Sequence, residues 1–197
     1  MLKRVFDVFF SLLGLVLLAP IFLVVAIWIK LDSPGSVFFR QTRIGQFGRE
    51  FSIYKFRTMV ANAESLGKQI TVANDRRITR SGQFLRKFKL DEIPQLFNVL
   101  KGEMSLVGPR PEVPRYVELY TSEQRKVLEV RPGITDIASI EFRNENDLLA
   151  NALNFEEAYI QEIMPKKLEL NMQYIDRANL GFDFLIILQT LWRVASD

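Results

Sequence analysis

A chain of 197 residues with nearly half its side chains hydrophobic suits one domain with a sizeable core. It contains no histidine and no cysteine. That excludes Ser-His and Cys-His nucleophiles, disulfide frameworks and the usual zinc sites, and leaves only oxygen ligands for a metal such as Mg2+. The net charge is only +3, from 26 basic and 23 acidic residues.

The chain opens Lys3-Arg4 and then runs from Val8 to Ile29 without a charge. As a helix rising about 1.5 Å per residue, this run is long enough to cover the roughly 30 Å hydrocarbon core. It is longer than the apolar region of a signal peptide, and no small-residue cleavage site follows it. Lys3 and Arg4 precede it and Lys30 with a basic segment follows it, so the positive-inside rule holds both ends in the cytoplasm. Pro20, near the middle, removes a backbone hydrogen bond and can bend the helix back on itself. From these residues a re-entrant helix and a simple span are equally open, because spanning helices also contain proline.

After a turn at Asp32-Ser33-Pro34-Gly35, strand-like residues from Ser36 lead through Gly48 to Phe51–Arg57. The pattern predicts a β-hairpin, with Lys55 and Arg57 on one face by alternation. Ala61 to Ile70 is polar and predicted helical. Basic residues are concentrated in two stretches. From Leu31 to Val60 come Arg40, Arg43, Arg49, Lys55 and Arg57, and from Arg76 to Lys89 come Arg76, Arg77, Arg80, Arg86, Lys87 and Lys89 with no acid among them. Such a surface suits an anionic partner; no nucleic-acid recognition motif accompanies it.

Arg86 to Pro111 carries the most chemistry. Basic residues lead into the pair Asp91-Glu92, and Pro94 points to a helix beginning there with Asp91 near its N-cap. Gly102 can end that helix. In Gly108-Pro109-Arg110-Pro111, two prolines hold a guanidinium in a stiff turn suited to a phosphate. An N-cap accounts for one carboxylate only, not for Glu92, the basic approach and the arginine turn together. Further on, Val113 to Val130 has helical periodicity with Thr121 or Ser122 as a cap, Arg131-Pro132-Gly133 is a second basic turn, and Ile134 to Arg143 reads as extended. Two helices are predicted on either side of Pro165. The last segment, Phe182 to Val194, is too short to span and suits the membrane interface or the core.

These residues resemble the small monotopic bacterial phosphoglycosyl transferases of the bacterial sugar transferase family, over nearly the whole chain. The resemblance runs through Lys3-Arg4-Xaa-Xaa-Asp7, Pro20, Gln41-Xaa-Arg43-Xaa-Gly45, Lys55-Phe56-Arg57-Thr58-Met59 and Arg86. It continues through Leu90-Asp91-Glu92-Xaa-Pro94-Gln95-Leu96-Xaa-Asn98-Val99-Leu100-Xaa-Gly102, Met104-Ser105-Xaa-Val107-Gly108-Pro109-Arg110-Pro111 and Arg131-Pro132-Gly133-Ile134-Thr135. It implies a mainly α fold with a small β-hairpin, a re-entrant membrane helix over residues 1–30, and a catalytic domain over residues 31–197 with interfacial amphipathic helices. The domain would sit on the cytoplasmic face of the bacterial inner membrane, against its lipids.

The implied activity is transfer of a sugar 1-phosphate from a UDP-sugar to undecaprenyl phosphate, with Mg2+ as cofactor. Asp91 is then the nucleophile and metal ligand and Glu92 its partner. Arg57, Arg110 and Arg143 match phosphate-binding cations, and Arg86, Pro109, Pro111 and Arg131 stand in matching motifs as further substrate-binding candidates. A homo-oligomer is left open. A nucleotide-sugar hydrolase and a non-catalytic membrane-anchored binding module are the alternatives. One departure stands out: many members continue the Arg-Pro-Gly-Ile-Thr motif with Gly-Trp-Ala-Gln, where this chain has Asp136-Ile137-Ala138-Ser139.

Overall fold

The computed structural model describes residues 2–63, 75–143 and 154–196. The apolar run forms one helix, α1 (Leu2–Asp32), which is 31 residues long and continues through Pro20. At about 1.5 Å per residue it is roughly 46 Å long. It is long and apolar enough to cross a membrane, yet one face lies along the rest of the chain. Asp7, Ser11, Val25 and Ile29 are buried on that face, Gly14 abuts Leu96, and Phe22 packs against Phe56 and Phe97. The opposite face exposes Val5, Phe9, Leu12, Val16, Leu17, Leu23, Val24 and Leu31.

Both ends of α1 are tied down by polar side chains. Near its start, Arg4 donates to the carbonyls of Val99 (2.6 Å) and Leu100 (2.9 Å). Asp7 accepts from Ser105 Oγ and Leu106 N, and Lys3 pairs with buried Asp183. At its end, Asp32 accepts from Ser81 N and Oγ, both at 2.8 Å.

The predicted hairpin is present as β1 (Phe38–Ile44) and β2 (Glu50–Phe56), antiparallel and joined through Gly48 at φ 73°. Arg80–Lys87 forms α2, capped by Thr79. A single 3-10 turn, Leu90–Glu92, precedes α3 (Gln95–Lys101). Gly102 ends α3 at φ 87°, where its N–H and that of Glu103 return to Val99 and Asn98.

A short parallel pair that the sequence reading does not contain, β3 (Ser105–Val107) and β4 (Gly133–Thr135), holds the Pro109–Pro111 turn. Its backbones approach so closely that a Cβ on Gly133 would lie 2.1 Å from Gly108 N, and one on Gly108 2.5 Å from Arg131 O. Both positions therefore need glycine.

The Val113–Val130 helix is broken into α4 (Pro114–Val117) and a 3-10 segment, Gln124–Glu129; Thr121 and Gln124 exchange hydrogen bonds in a capping box between them. The extended reading of Ile134–Arg143 holds only to Thr135. Asp136 then caps a short helix, α5 (Ile137–Glu141), by accepting from Ser139 N. Phe155–Ala158 (α6) runs through a π turn at Tyr159–Ile163 into α7 (Met164–Arg177), so Pro165 begins α7 instead of separating two helices. The last helix, α8 (Leu180–Ala195), buries Ile186 and exposes Phe184, Leu185, Leu188, Leu191 and Trp192. The helix predicted for Ala61–Ile70 lies largely outside the described residues.

Candidate active site

The dyad does not sit where an N-cap would. Lys89 adopts a left-handed conformation (φ 54°) that turns the chain sharply after α2, so Asp91 falls in the 3-10 turn and Pro94, not Asp91, precedes α3. Asp91 is buried, at 7% exposure, and its Oδ1 has no hydrogen-bond partner. Four residues on, Gln95 is 1% exposed with both amide atoms unpartnered. Leaving a buried polar atom unpaired costs about 1–3 kcal/mol, so this corner of the fold keeps open hydrogen-bonding and ligating capacity.

Glu92 has the opposite environment. Lys55 Nζ donates to its Oε1 at 2.8 Å. Arg110 grips both of its oxygens, one of the two bonds measuring 3.1 Å. The two-pronged guanidinium geometry gives direction as well as charge.

The electrostatics follow from these contacts. Burial, reinforced by the Glu92 charge, holds the Asp91 carboxyl above the usual aspartate range against the pull of Lys55, Arg86 and Lys89. Burial pushes Glu92 upward too, but Arg110 and Lys55 outweigh it and hold that carboxyl well below the glutamate range. Glu92 in turn holds Arg110 above its ordinary value. Two adjacent carboxylates are thereby pushed apart, one toward the proton and one away from it.

The arginine turn is fixed from two sides. Fully buried Asp136 accepts from Arg110 N at 2.7 Å and from Ser139 N. Arg43 donates to the Pro111 carbonyl at 3.2 Å and to Glu112 at 3.1 Å. Asp136 is the first residue of the departure from Gly-Trp-Ala-Gln, so the substituted segment builds the support of the turn.

Of the residues marked by the sequence, Asp91, Glu92, Arg86, Pro109, Arg110 and Pro111 come together. Arg86 donates to Thr58 Oγ1 at 2.8 Å, within electrostatic reach of Asp91. Three others lie elsewhere. Arg57 is 6% exposed and donates to the carbonyls of Ser33 (2.8 Å), Pro34 and Ile29 (3.5 Å), closing the end of α1. Arg131 donates to the Gly102 carbonyl. Arg143 donates to the Arg193 carbonyl in the last turn of α8. Lys55, Arg43 and Asp136 join the site without having been singled out as site residues. Lys55 had a signal in its strand, but alternation pairs it with Arg57. The strand ends at Phe56 and the two cations part.

A family model described as bacterial sugar transferase matches residues 1–197. The chain belongs to the bacterial sugar transferase family. Among its relatives, a protein of Aeromonas hydrophila named UDP-N-acetylgalactosamine-undecaprenyl-phosphate N-acetylgalactosaminephosphotransferase is 38% identical over 195 residues, covering 96% of this chain and 43% of its own length. A Bacillus subtilis (strain 168) protein named uncharacterized sugar transferase EpsL is 39% identical, covering 98% of this chain and 87% of its own length. An Escherichia coli (strain K12) protein named UDP-glucose:undecaprenyl-phosphate glucose-1-phosphate transferase is 39% identical over 98% of this chain and 40% of its own length. This sugar transferase chain thus spans less than half of the first and third relatives and most of the second.

Proposed function

We propose that this chain transfers a sugar 1-phosphate from a UDP-sugar to undecaprenyl phosphate through an aspartyl phosphosugar on Asp91. The observation that carries this reading is the asymmetry of the dyad: a buried carboxylate with an unpartnered oxygen stands beside one clamped by Lys55 and Arg110. The relatives named as transferases to undecaprenyl phosphate supply the substrate classes. In the first half-reaction an Asp91 oxygen attacks the phosphorus that bears the sugar. The bond to the bridging oxygen breaks, and its electron pair leaves on UMP. In the second, an oxygen of the lipid phosphate attacks the same phosphorus and releases the Asp91 carboxylate.

Repulsion between the nucleophile and a diphosphate is the obstacle, since one like-charge pair at 4 Å costs about 4 kcal/mol at an effective dielectric of 20. Arg110, with a side chain 33% exposed, can redirect a prong from Glu92 to a phosphate oxygen, while Lys55 keeps Glu92 neutralised. The unpartnered Asp91 Oδ1 offers Mg2+ one hard oxygen ligand; no group of three or more acidic side chains gathers around it among the described residues, so such an ion would draw its remaining ligands from the substrate phosphates and water. Bound there by Asp91, Mg2+ would neutralise charge on the diphosphate and the departing UMP.

The covalent step separates the half-reactions in time. Enzyme mixed with UDP-sugar alone is expected to release UMP in a burst no larger than the enzyme concentration and to gain a phosphosugar mass, discharged by polyprenyl phosphate. UMP released continuously without lipid would identify a hydrolase. A reaction that runs only with both substrates and shows no adduct would sink the covalent scheme.

The membrane placement belongs to the same reading. A straight span would carry one end of α1 some 30 Å from the domain, whereas Arg4 and Asp7 at one end and Asp32 at the other all hold the same domain. This supports a helix that dips into the cytoplasmic leaflet of the inner membrane and returns, with the apolar outer faces of α1 and α8 toward lipid. Cysteines introduced at positions 2 and 36 should both resist an impermeant thiol reagent in intact cells. Labelling of position 2 from outside would mean a span.

A further inference from the structure

We infer that the cavity beside the Pro109–Pro111 turn is a subsite for an acetamido substituent on the donor sugar, with Asn171 of α7 as its hydrogen-bond partner. The inference rests on the phosphosugar-transfer reading and narrows its substrate class to 2-acetamido sugars.

The cavity lies between the end of β1, the arginine turn and α7, with Val127, Met164 and Leu168 among its apolar walls. Its free volume is about 30 Å³, against the roughly 10–15 Å³ that a single water needs. A short substituent fits this space. A whole pyranose ring or a nucleobase does not.

Asn171 lines the cavity, is 4% exposed, and has no partner for its Oδ1. Two of the other polar groups at this wall, Tyr159 and Glu112, are already committed. Tyr159 donates to Glu112 Oε2 at 2.5 Å, and Glu112 also pairs with Arg43. A buried amide oxygen left unpaired among Met164, Leu168 and Val127 is costly in the free protein, and an incoming N–H relieves the cost. An acetamido group brings that N–H together with a methyl for the apolar walls.

Position completes the match. Arg110 and both flanking prolines line the cavity, and the same Arg110 reaches Glu92 of the dyad. In a hexosyl phosphate the C2 substituent is attached next to the carbon that carries the phosphate. With the phosphate at the dyad, C2 is the ring position with the shortest reach to a cavity that shares the arginine turn. A C2 hydroxyl can meet Asn171 but leaves the apolar walls uncovered.

The test compares wild type with Asn171→Leu, and with Asn171→Ala should the leucine variant melt early. One arm measures kcat/KM for UDP-2-acetamidohexoses against UDP-hexoses, together with product inhibition by UMP. The other arm, independent of turnover, measures saturation transfer from protein to the acetyl methyl of a 2-acetamidohexose 1-phosphate by NMR. The expected result is a wild-type preference for acetamido donors that falls about tenfold in the variant, the worth of roughly one buried hydrogen bond. The methyl signal should fall in parallel and UMP inhibition should not change. Weakened UMP inhibition with the sugar preference retained would assign the cavity to the base and overturn the inference. An unchanged preference and methyl signal in a folded variant would make Asn171 a core residue only, with the same consequence. If wild type releases UMP from no donor, the transfer reading fails, while the methyl signal on the sugar phosphate still decides the subsite.

Discussion

Two clusters of cations in this chain are built from similar residues and do opposite things. At the dyad, Lys55 and Arg110 face Glu92, a carboxylate beside one with an unpartnered oxygen. Around α1, Arg57 and Arg4 face main-chain carbonyls at the ends of α1 and α3. Carbonyls in the last turn of a helix keep a free lone pair even where a capping N–H uses the other, as Gly102 N does at Val99, and they hold the guanidinium in place. A carboxylate–guanidinium pair can open toward an arriving phosphate, which offers the same bidentate geometry. Under the proposed function, an anchoring arginine differs from a phosphate-binding one in the acceptor it holds in the free protein and in the exposure of the donor. Arg110 keeps a third of its side chain exposed, whereas Arg57 is a buried residue.

The sharpest break within the site cluster is between its two carboxylates. Asp91→Asn should abolish transfer, with residual activity below about one per cent, because an amide is not a nucleophile. The raised Asp91 titration means that the folded protein holds this proton more tightly than the unfolded chain does. Ionised Asp91 thus lowers stability at pH above that titration, so the asparagine variant should melt no lower than wild type at neutral pH. Glu92 has the reverse sign: its depressed titration stabilises the fold above the ordinary glutamate value of about 4.3, and this is lost as pH falls through the depressed one. Glu92→Gln leaves Arg110 and Lys55 without their partner and should cost roughly 3–5 kcal/mol in a denaturation midpoint analysis. Equal melting of the two variants would contradict the asymmetry.

The two clusters can then be set against each other directly through Lys55 and Arg57, which are two residues apart. Lys55→Met should lower kcat at least about a hundredfold, the scale of a lost charge stabiliser in a catalytic site. Lys55 pulls the Asp91 titration down, so its loss should also move the acid limb of kcat/KM upward from a wild-type position already above the usual aspartate value of about 3.9. Arg57→Met should lower the melting temperature while active enzyme keeps its kcat. If Arg57→Met instead lost kcat at an unchanged melting temperature, Arg57 would be the phosphate ligand that family resemblance implies, and the contrast between the clusters would fail.

The same pair shows how far the sequence could be read. Alternation along β2 correctly gives a hairpin closed by Gly48, but a strand that stops at Phe56 no longer alternates at Arg57. The apolar run of α1, Gly102 as the end of α3 and Thr121 as a cap are local signals and are found where expected. Asp91, Glu92, Arg86 and Arg110 were legible because charge and stiff turns leave a compositional trace. The β3–β4 pair was not, because three-residue strands carry no period and depend on Gly108 meeting Gly133 across the chain. The sequence places Asp91 near an N-cap because nothing local announces that Lys89 turns left-handed before it. Asp136 read as part of an extended segment, and its partner, Arg110 N, lies 26 residues back.

The smallest effect is expected at Arg131, which the family resemblance marks as a further substrate-binding candidate and the structure sets apart. It lies exposed on the rim of the β4 turn, and its Nε donates to the carbonyl of Gly102, where α3 ends. That bond competes with water, so its loss removes little, and an exposed substitution away from caps and cores is usually worth within about 0.5 kcal/mol. Arg131→Ala should leave the melting temperature nearly unchanged and kcat/KM within about threefold, the rate equivalent of that small energy. The comparison between clusters depends on this outcome. If Arg131→Ala lost tenfold or more in kcat/KM with folding intact, the donor or lipid phosphate would have to extend across the end of α3. The line between cations held by carboxylates and cations held by carbonyls would then no longer separate the residues that serve the reaction from those that serve the fold.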